Sequence, residues 1–259
     1  MNDVVRFEQD GPLAVVTFDS PPLNLFDERV FRGFEEVVDR LTAEPPRGVL
    51  IRAEGKVVSG GVDVGKVFDG MSVERGRALW GELLAVIQRF EDVPAPTVFA
   101  AHGLCLTAAF EIALACDILL AAERARFGLV EIVVGLTPSM GGPQRLAERA
   151  GPARAKELIY TGELYGAEVL ERWNVVNRVL PDEGFDAAAR AFALKIAHGP
   201  TRAHAATKAI VRAQKEAGAR AADEIVPDVS GVLFETEDLK NAVRSFLTEG
   251  PGKATYAGR

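Results

Sequence analysis

Two glutamates stand in apolar segments, where a charged side chain is unusual. Glu111 lies in TAAFEIALAC, and Glu131 follows 20 residues later in RFGLVEIVVG. Glutamate is rarely buried without a partner, and burial raises a carboxyl pKa toward neutrality, where the group can donate or accept a proton. Two such groups facing one pocket would supply an acid and a base. For either glutamate alone, an ion pair, for example with Arg126 or Arg145, or an outward orientation is the commoner arrangement.

A glycine pair follows the predicted strand GVLIRA. Gly60 and Gly61 stand in the loop SGGVDVG, and adjacent glycines allow a ligand to approach the main chain closely. Amides exposed there could bind a phosphate or a developing oxyanion, although a tight turn is the better explanation for a lone glycine pair. The stretch from Gly60 to Lys66 also fits the phosphate-loop pattern G-x-x-x-x-G-K. Val67 replaces the Ser or Thr that holds Mg²⁺, and Asp63 adds a negative charge, which disfavours a nucleotidase.

No other group of residues has the spacing of a metal or nucleophile site. The three histidines form no cluster, and His102 is expected to be a hydrogen-bonded core residue. Cys105 and Cys116 lie in apolar runs, so we interpret them as small core side chains in a reducing compartment. We therefore expect no metal and no disulfide.

Charge and composition exclude several classes of protein. The 259 residues include 30 Lys and Arg against 37 Asp and Glu, a net charge of −7. This balance disfavours a non-specific nucleic-acid binder and a polybasic membrane-surface protein. The longest apolar stretch, 97–122, is interrupted by His102, Glu111 and Asp117, so no transmembrane helix is expected. The N-terminal residues lack a basic, then apolar, secretory signal, and we predict a cytoplasmic enzyme.

The elements that must position these residues alternate between strands and helices. We predict a hairpin from VVRFEQ and LAVVTFD, a strand at 48–53, a strand at TVFAAH, and helices at 27–41, 72–90 and 107–116. This pattern indicates a mixed α/β core. After residue 181 the predicted elements are helices at 186–198, 201–219 and 236–247. We therefore predict a catalytic core over 1–195 and a helical C-terminal region over 196–259.

Four segments together resemble one known family. They are LAVVTFDSPPLNLFDERV, KVVSGGVDV, the long block AAHGLCLTAAFEIALACDILLAAERARFGLVEIVVGLTPSMGGPQRL, and the tail LFETEDLKNAVRSFLTEGPGKATYAGR. In this order and at these spacings they are similar to the enoyl-CoA hydratase/isomerase family, also called the crotonase family, over essentially the whole chain. The resemblance implies a spiral of ββα units, with a C-terminal helical region that forms trimers or dimers of trimers.

The resemblance also implies a substrate and a set of site residues. The substrate would be an acyl-CoA thioester, with no further cofactor. The backbone amides of Val62 and Ala108 would bind the thioester oxygen, and Glu111 and Glu131 would be the acid/base carboxylates of a hydratase. The CoA moiety would lie along the loop with these residues: Gly60, Gly61, Asp63 and Lys66. From the C-terminal tail, Lys253 would reach the ligand of a neighbouring subunit.

Three departures from the family pattern affect the choice of reaction. Thr107-Ala108-Ala109 replaces a glycine run, Val130 replaces a proline, and Pro143 replaces a threonine. We expect hydration of a trans-2-enoyl-CoA to a 3-hydroxyacyl-CoA, because water addition needs two proton-handling groups and both glutamates are present. Isomerisation by one carboxylate, dehalogenation, decarboxylation and thioester hydrolysis remain alternatives on this scaffold. A non-catalytic acyl-CoA-binding protein is the alternative from another class.

Overall fold

The computed structural model describes residues 3–259, and two sheets organise it. The strands are β1 (Val5–Asp10), β2 (Leu13–Phe18), β3 (Gly48–Ala53), β4 (Thr97–Ala101), β5 (Leu104–Leu106), β6 (Ile118–Ala122), β7 (Arg126–Gly128), β8 (Tyr165–Gly166) and β9 (Arg178–Leu180). The larger sheet has the order β1-β2-β3-β4-β6-β9, and only its β1–β2 pair is antiparallel. The smaller sheet has the order β5-β7-β8.

Helices connect the strands and form most of the C-terminal part. They are α1 (Glu28–Ala43), α2 (Val64–Val67), α3 (Val73–Glu91), α4 (Ala108–Ala115), α5 (Gly142–Ala150), α6 (Pro152–Thr161), α7 (Ala167–Arg172), α8 (Phe185–Ala197), α9 (Thr201–Ala217), α10 (Ala219–Gly231) and α11 (Glu237–Glu249). Short 3₁₀ helices occur at Glu131–Val134 and Val232–Glu235. The mixed α/β core predicted from the sequence is confirmed.

The larger sheet has a hydrophobic core on each face. On one face, β2 and β3 pack against α1, α3 and α4, with buried aromatic side chains such as Phe34, Phe90 and Phe99. On the other face, Leu13, Leu50 and their neighbours pack against the buried side of α8. Every residue of β2 is consequently buried. The sequence LAVVTF lacks charged residues because both of its faces are covered.

The predicted elements of the core agree with the structure. The hairpin forms with Val5 opposite Phe18, β3 occupies 48–53, and α1 buries Val30, Phe34 and three further apolar residues at helical spacing. Asp27 caps α1 by accepting hydrogen bonds from two amides of its first turn. The sequence pattern therefore predicts correctly which of these elements are strands or helices and where they lie.

The C-terminal helices depart from the predicted pattern at two points. The predicted helix 201–219 ends at Ala217, because Gly218 adopts a positive φ of 85°, and α10 then runs to Gly231 with Pro227 inside it. We did not predict α10, which contains a proline although this residue normally ends a helix; α10 packs along α9. The predicted boundary at 195/196 falls within α8, which belongs to the sheet's second core. The division into two parts remains a prediction.

Candidate active site

The glycine loop after β3 is held by an asparagine and a serine. Asn24 donates from Nδ2 to the carbonyls of Glu54 and Val57 at 2.8 and 3.1 Å. Ser59 is fully buried; its hydroxyl donates to the Asn24 carbonyl at 2.7 Å and accepts the Gly61 amide at 3.0 Å. The loop therefore has a fixed path, and Gly61 has a φ of 103° that favours glycine.

The amide of Val62 is left unused by this path. Val62 forms an isolated parallel bridge with Phe26, in which the Phe26 amide donates to Gly61 and the Asp63 amide donates to Phe26. The bridge therefore uses the amides of Phe26 and Asp63, and it does not use the amide of Val62. An N–H group with no internal acceptor is what an oxyanion site requires.

The amide of Ala108 is free for a different reason. Ala108 is the first residue of α4, so its N–H has no acceptor within the helix. Thr107, the residue before it, contacts Gly61 so closely that a Cβ on Gly61 would lie 2.8 Å from Thr107 Oγ1. Val62 directly follows Gly61 in the chain, and Ala108 directly follows Thr107, so the two amides adjoin this contact. The structure thus brings the two predicted oxyanion donors to one place.

Glu111 lies one turn further along α4, and its side chain is only 2% exposed. Its Oε1 accepts hydrogen bonds from the amides of Met140 at 2.9 Å and Gly142 at 2.8 Å. Burial raises the pKa of Glu111 to about 7, against the opposing effect of these two donors and of the Arg145 charge. Glu111 is therefore poised between its two protonation states near neutral pH.

Glu131 begins the 3₁₀ helix that follows β7. Its Oε2 is buried and has no hydrogen-bond partner among the described residues. Burial, followed by the charge of Glu111, raises the pKa of Glu131 to about 8. A charge acts in this way only over a short distance, so the two carboxyls lie near one another; that they face one pocket remains a prediction.

The ion-pair alternative for these glutamates is wrong within residues 3–259. Arg145 is bound by Glu91, with Nε 2.8 Å from Oε1, and also donates to the Gly141 carbonyl at 3.2 Å. Arg126 donates to the Leu164 carbonyl. Neither arginine bonds to a candidate catalytic carboxylate. Arg145 instead binds the carbonyl of Gly141, and the amide of the next residue, Gly142, donates to Glu111.

The predicted CoA-binding cations occupy different surroundings. Lys66 lies on α2, and its Nζ contacts Asp63 at 2.8 Å and Asp27 at 3.3 Å. These two carboxylates raise the pKa of Lys66, and Asp63 also caps α2 through the Lys66 amide. Gly60 donates its amide to Leu23. Lys253 is exposed in the C-terminal tail, and within this one chain nothing connects it with the pocket.

Among the described residues, the arrangement combines two carboxyl groups that have no ion-pair partner with two backbone amides that have no hydrogen-bond acceptor. Free amides can stabilise negative charge on an oxygen atom, and a carboxyl pair near neutrality can move protons at neighbouring atoms. No cluster of three or more potential metal ligands occurs within the described range 3–259. The chemistry that these residues support is proton transfer next to a stabilised oxyanion.

Comparison with known proteins identifies the family. The model of the enoyl-CoA hydratase/isomerase family matches residues 8–255. The chain belongs to this family of enzymes. It is 30% identical over 250 residues to the short-chain-enoyl-CoA hydratase of Clostridium acetobutylicum, covering 95% of each chain. It is also 31% identical over 218 residues to the carnitinyl-CoA dehydratase of Citrobacter koseri, covering 83% of each.

The family fold is confirmed by solved structures. An enoyl-CoA hydratase from Bacillus anthracis superposes with a TM-score of 0.91 at 24% identity, covering 99% of this chain and 100% of that one. In our structure the loop after β3 lies beside β5, the strand that leads into α4, since the Leu106 amide donates to the Ser59 carbonyl. The helical C-terminal region is also present.

Four positioning features of this family member were not predicted from the sequence. They are the two amides of Met140 and Gly142 on Glu111, the support of the glycine loop by Asn24, and the unpaired hydroxyl of Thr107. The quoted segments contain all these residues. The glycine pair at 141–142 could have indicated a close contact with the main chain. In the structure, a Cβ on Gly142 would lie 2.9 Å from Glu111 Oε1.

Proposed function

We propose that this enzyme adds water to a trans-2-enoyl-CoA to give a 3-hydroxyacyl-CoA. The observation that carries the proposal is the pair of carboxyl groups of Glu111 and Glu131, neither of which has an ion-pair partner among the described residues. Glu111 and the Oε2 atom of Glu131 are buried, and both pKa values are raised. Hydration requires one group to take a proton from water and another to give a proton to carbon. The short-chain-enoyl-CoA hydratase among the relatives supports the same reaction.

The amides of Val62 and Ala108 bind the thioester oxygen in this proposal. Attack of water at the β-carbon moves negative charge onto that oxygen and gives an enolate. A preorganised donor is typically worth about 3–4 kcal/mol in such a transition state. Since both donors belong to the main chain, the valine and alanine side chains do not enter this step.

The two glutamates take different roles in this proposal, as the resemblance to the family implies. Glu111, whose Oε1 is held by two amides, orients and deprotonates the attacking water. Glu131, whose pKa is raised by burial and by the Glu111 charge, holds a proton and delivers it to the α-carbon. After the reaction Glu111 carries the proton and Glu131 the charge, and exchange with solvent restores the starting state.

Double-bond isomerisation is the second candidate function. It needs one carboxylate to carry a proton between two carbons, so a single unpaired glutamate would be sufficient. Keeping a second carboxyl buried and unpartnered, as Glu131 Oε2 is, costs stability. Hydration uses the second carboxyl group and so accounts for its presence, whereas isomerisation would leave it without a role.

The CoA moiety lies along Gly60–Lys66 in this proposal, with Lys66 near its phosphates and no other cofactor required. Lys253 acts across a subunit boundary, in a trimer or dimer of trimers. Exposed apolar side chains on the C-terminal helices support such an assembly, including Phe234, Phe246 and Leu247, which are 70, 60 and 77% exposed. The cytoplasmic location remains an expectation from the sequence.

An assay with crotonyl-CoA and longer 2-enoyl-CoAs tests the reaction. Hydration removes the conjugated double bond, so the enoyl absorbance should fall, and mass spectrometry should show a product that is heavier by one water. A product of unchanged mass would show isomerisation instead. Binding of the substrates without any turnover would overturn the enzymatic proposal in favour of an acyl-CoA-binding protein.

A further inference from the structure

Thr107 carries a hydroxyl group with no partner at the point where the two free amides meet. The residue is only 6% exposed, and its Oγ1 makes no hydrogen bond among the described residues. Threonine before a helix usually caps it by accepting an amide of the first turn. Here that bond is absent, because Thr107 has φ 48° and ψ −122°, outside the usual capping conformation.

The conformation itself is unfavourable for this residue type. A positive φ is rare for β-branched side chains, since Cβ then crowds the backbone, and glycine is the usual residue there. Thr107 is held in place because its amide donates to the Gly128 carbonyl at 3.0 Å and its carbonyl accepts the Glu111 amide at 2.9 Å. Strained conformations that persist in this way cluster at functional sites.

The side chain of Thr107 packs against the glycine loop. The position of a Cβ on Gly61 would be 2.8 Å from Thr107 Oγ1 and 3.3 Å from Cγ2. The hydroxyl therefore lies against the residue that precedes Val62, while its own residue precedes Ala108. A buried hydroxyl without a partner is costly, so a partner supplied by a ligand would recover this cost.

We propose that the Thr107 hydroxyl is a third hydrogen-bond donor to the thioester oxygen, beside the amides of Val62 and Ala108. The inference rests on the proposed function, because it needs an acyl-CoA thioester in this pocket. The hydroxyl donates a hydrogen bond to the carbonyl oxygen and keeps this bond as negative charge develops on that oxygen in the enolate. Thr107 is thus a catalytic residue whose contribution is largest in the transition state.

Three variants separate this role from simple space filling. Thr107→Val keeps the shape and the β-branch but removes the hydroxyl, whereas Thr107→Ser keeps the hydroxyl and removes a methyl group. We expect Thr107→Val to lower kcat for crotonyl-CoA about 10- to 100-fold with KM nearly unchanged, and Thr107→Ser to stay within about 3-fold of wild type. A space-filling residue would give the reverse order. Thr107→Ala replaces the valine variant if that protein does not fold.

A spectroscopic measurement tests the same hydrogen bond without turnover. Butyryl-CoA has the thioester carbonyl but no double bond, so it cannot be hydrated. With ¹³C at the carbonyl, infrared difference spectra should show a lower C=O stretching frequency on wild type and Thr107→Ser than on Thr107→Val. Equal frequencies and equal kcat values for wild type and Thr107→Val would overturn the inference.

The two measurements also separate failure of this inference from failure of the proposed function. If the butyryl-CoA carbonyl has a lower frequency on wild type than on Thr107→Val but wild type does not hydrate crotonyl-CoA, the hydratase proposal fails and the role of Thr107 as a donor is supported. If wild type hydrates crotonyl-CoA and Thr107→Val does so equally well with an unchanged carbonyl frequency, the hydratase proposal stands and the Thr107 inference fails.

Discussion

Oε1 of Glu111 accepts the amide of Gly142 at 2.8 Å, from a turn 31 residues further along the chain. Together with the Met140 amide, this bond occupies one carboxylate oxygen and fixes the plane of the group. Within the described residues, the hydrogen bonds of this carboxylate all involve Oε1. Oε2 is therefore the oxygen that can contact a water molecule, which gives the base a defined direction.

The activity should depend on pH through both glutamates. Glu111 must be ionised to accept a proton, so kcat/KM should rise as the pH passes about 7. Glu131 must be protonated to donate, so kcat/KM should fall as the pH passes about 8. We expect a narrow bell-shaped profile, whose two apparent values belong to the interacting pair. A profile that is flat between pH 6 and 9 would contradict these roles.

Stability should change with pH in the opposite sense from a salt-bridged carboxylate. The folded pKa of Glu131 lies above its ordinary value of 4.5, so folding favours the protonated form. The resulting stability is fully present below about pH 4.5 and is lost as the pH rises through about 8. Glu131→Gln cannot ionise and should therefore have a higher Tm than wild type at pH 9, by about 2 °C or more.

The same comparison at pH 4 provides the internal control. There Glu131 is protonated in the folded protein and mostly protonated in the unfolded chain, so the Tm difference between wild type and Glu131→Gln should nearly vanish. The exposed Glu123 offers a matched substitution, since Glu123→Gln should give no such pH-dependent difference. A Glu131→Gln protein that is less stable than wild type at pH 9 would show that the carboxylate is stabilised by its surroundings.

Lys66 should affect binding of the nucleotide part of CoA only modestly. Its ammonium group is already paired with Asp63 and Asp27, so the net local charge is small. We expect Lys66→Ala to raise KM for crotonyl-CoA about 2- to 5-fold, in keeping with exposed charge pairs. KM for crotonyl-pantetheine, which lacks the nucleotide phosphates, should not change. An equal change for both substrates would remove Lys66 from the phosphate site.

The C-terminal helices should hold the oligomer together. Wild type should have at least three times the mass of one chain by light scattering near neutral pH. Leu247→Asp places a charge on an exposed apolar position of α11 and should shift the protein toward monomer, with its circular dichroism retained. Val73→Asp is the control, because Val73 is equally apolar and exposed but lies on α3. A monodisperse wild-type monomer at micromolar concentration would contradict the assembly and the role of Lys253 across subunits.

The sequence predicts the core elements well because their signals are local. The strand 48–53 is a short apolar run between breakers, and α1 has apolar residues at helical spacing after the capping Asp27. The helix α10 was not predicted. Pro227 lies inside it, where proline normally ends a helix, and α10 packs against α9. Local signals do not record such packing.

The site was predictable in its members but not in its geometry. Glu111 and Glu131 stand out as charges in apolar segments, which is a property of the sequence alone. The amides of Met140 and Gly142 carry no side-chain signal, and their contact with Glu111 depends on a turn that Arg145 holds through the Gly141 carbonyl. The same holds for Thr107, because its conformation depends on the hydrogen bond from its amide to the distant Gly128 carbonyl.

Turnover of crotonyl-CoA by the two single glutamine variants tests the central claim most directly. Glu111→Gln and Glu131→Gln keep the size of the side chain and remove proton transfer, and Glu123→Gln is the exposed control. We predict that kcat for hydration falls about 10²- to 10⁴-fold in each of the first two variants, with butyryl-CoA binding largely retained and the control unaffected. Near wild-type hydration by both Glu111→Gln and Glu131→Gln would contradict the account.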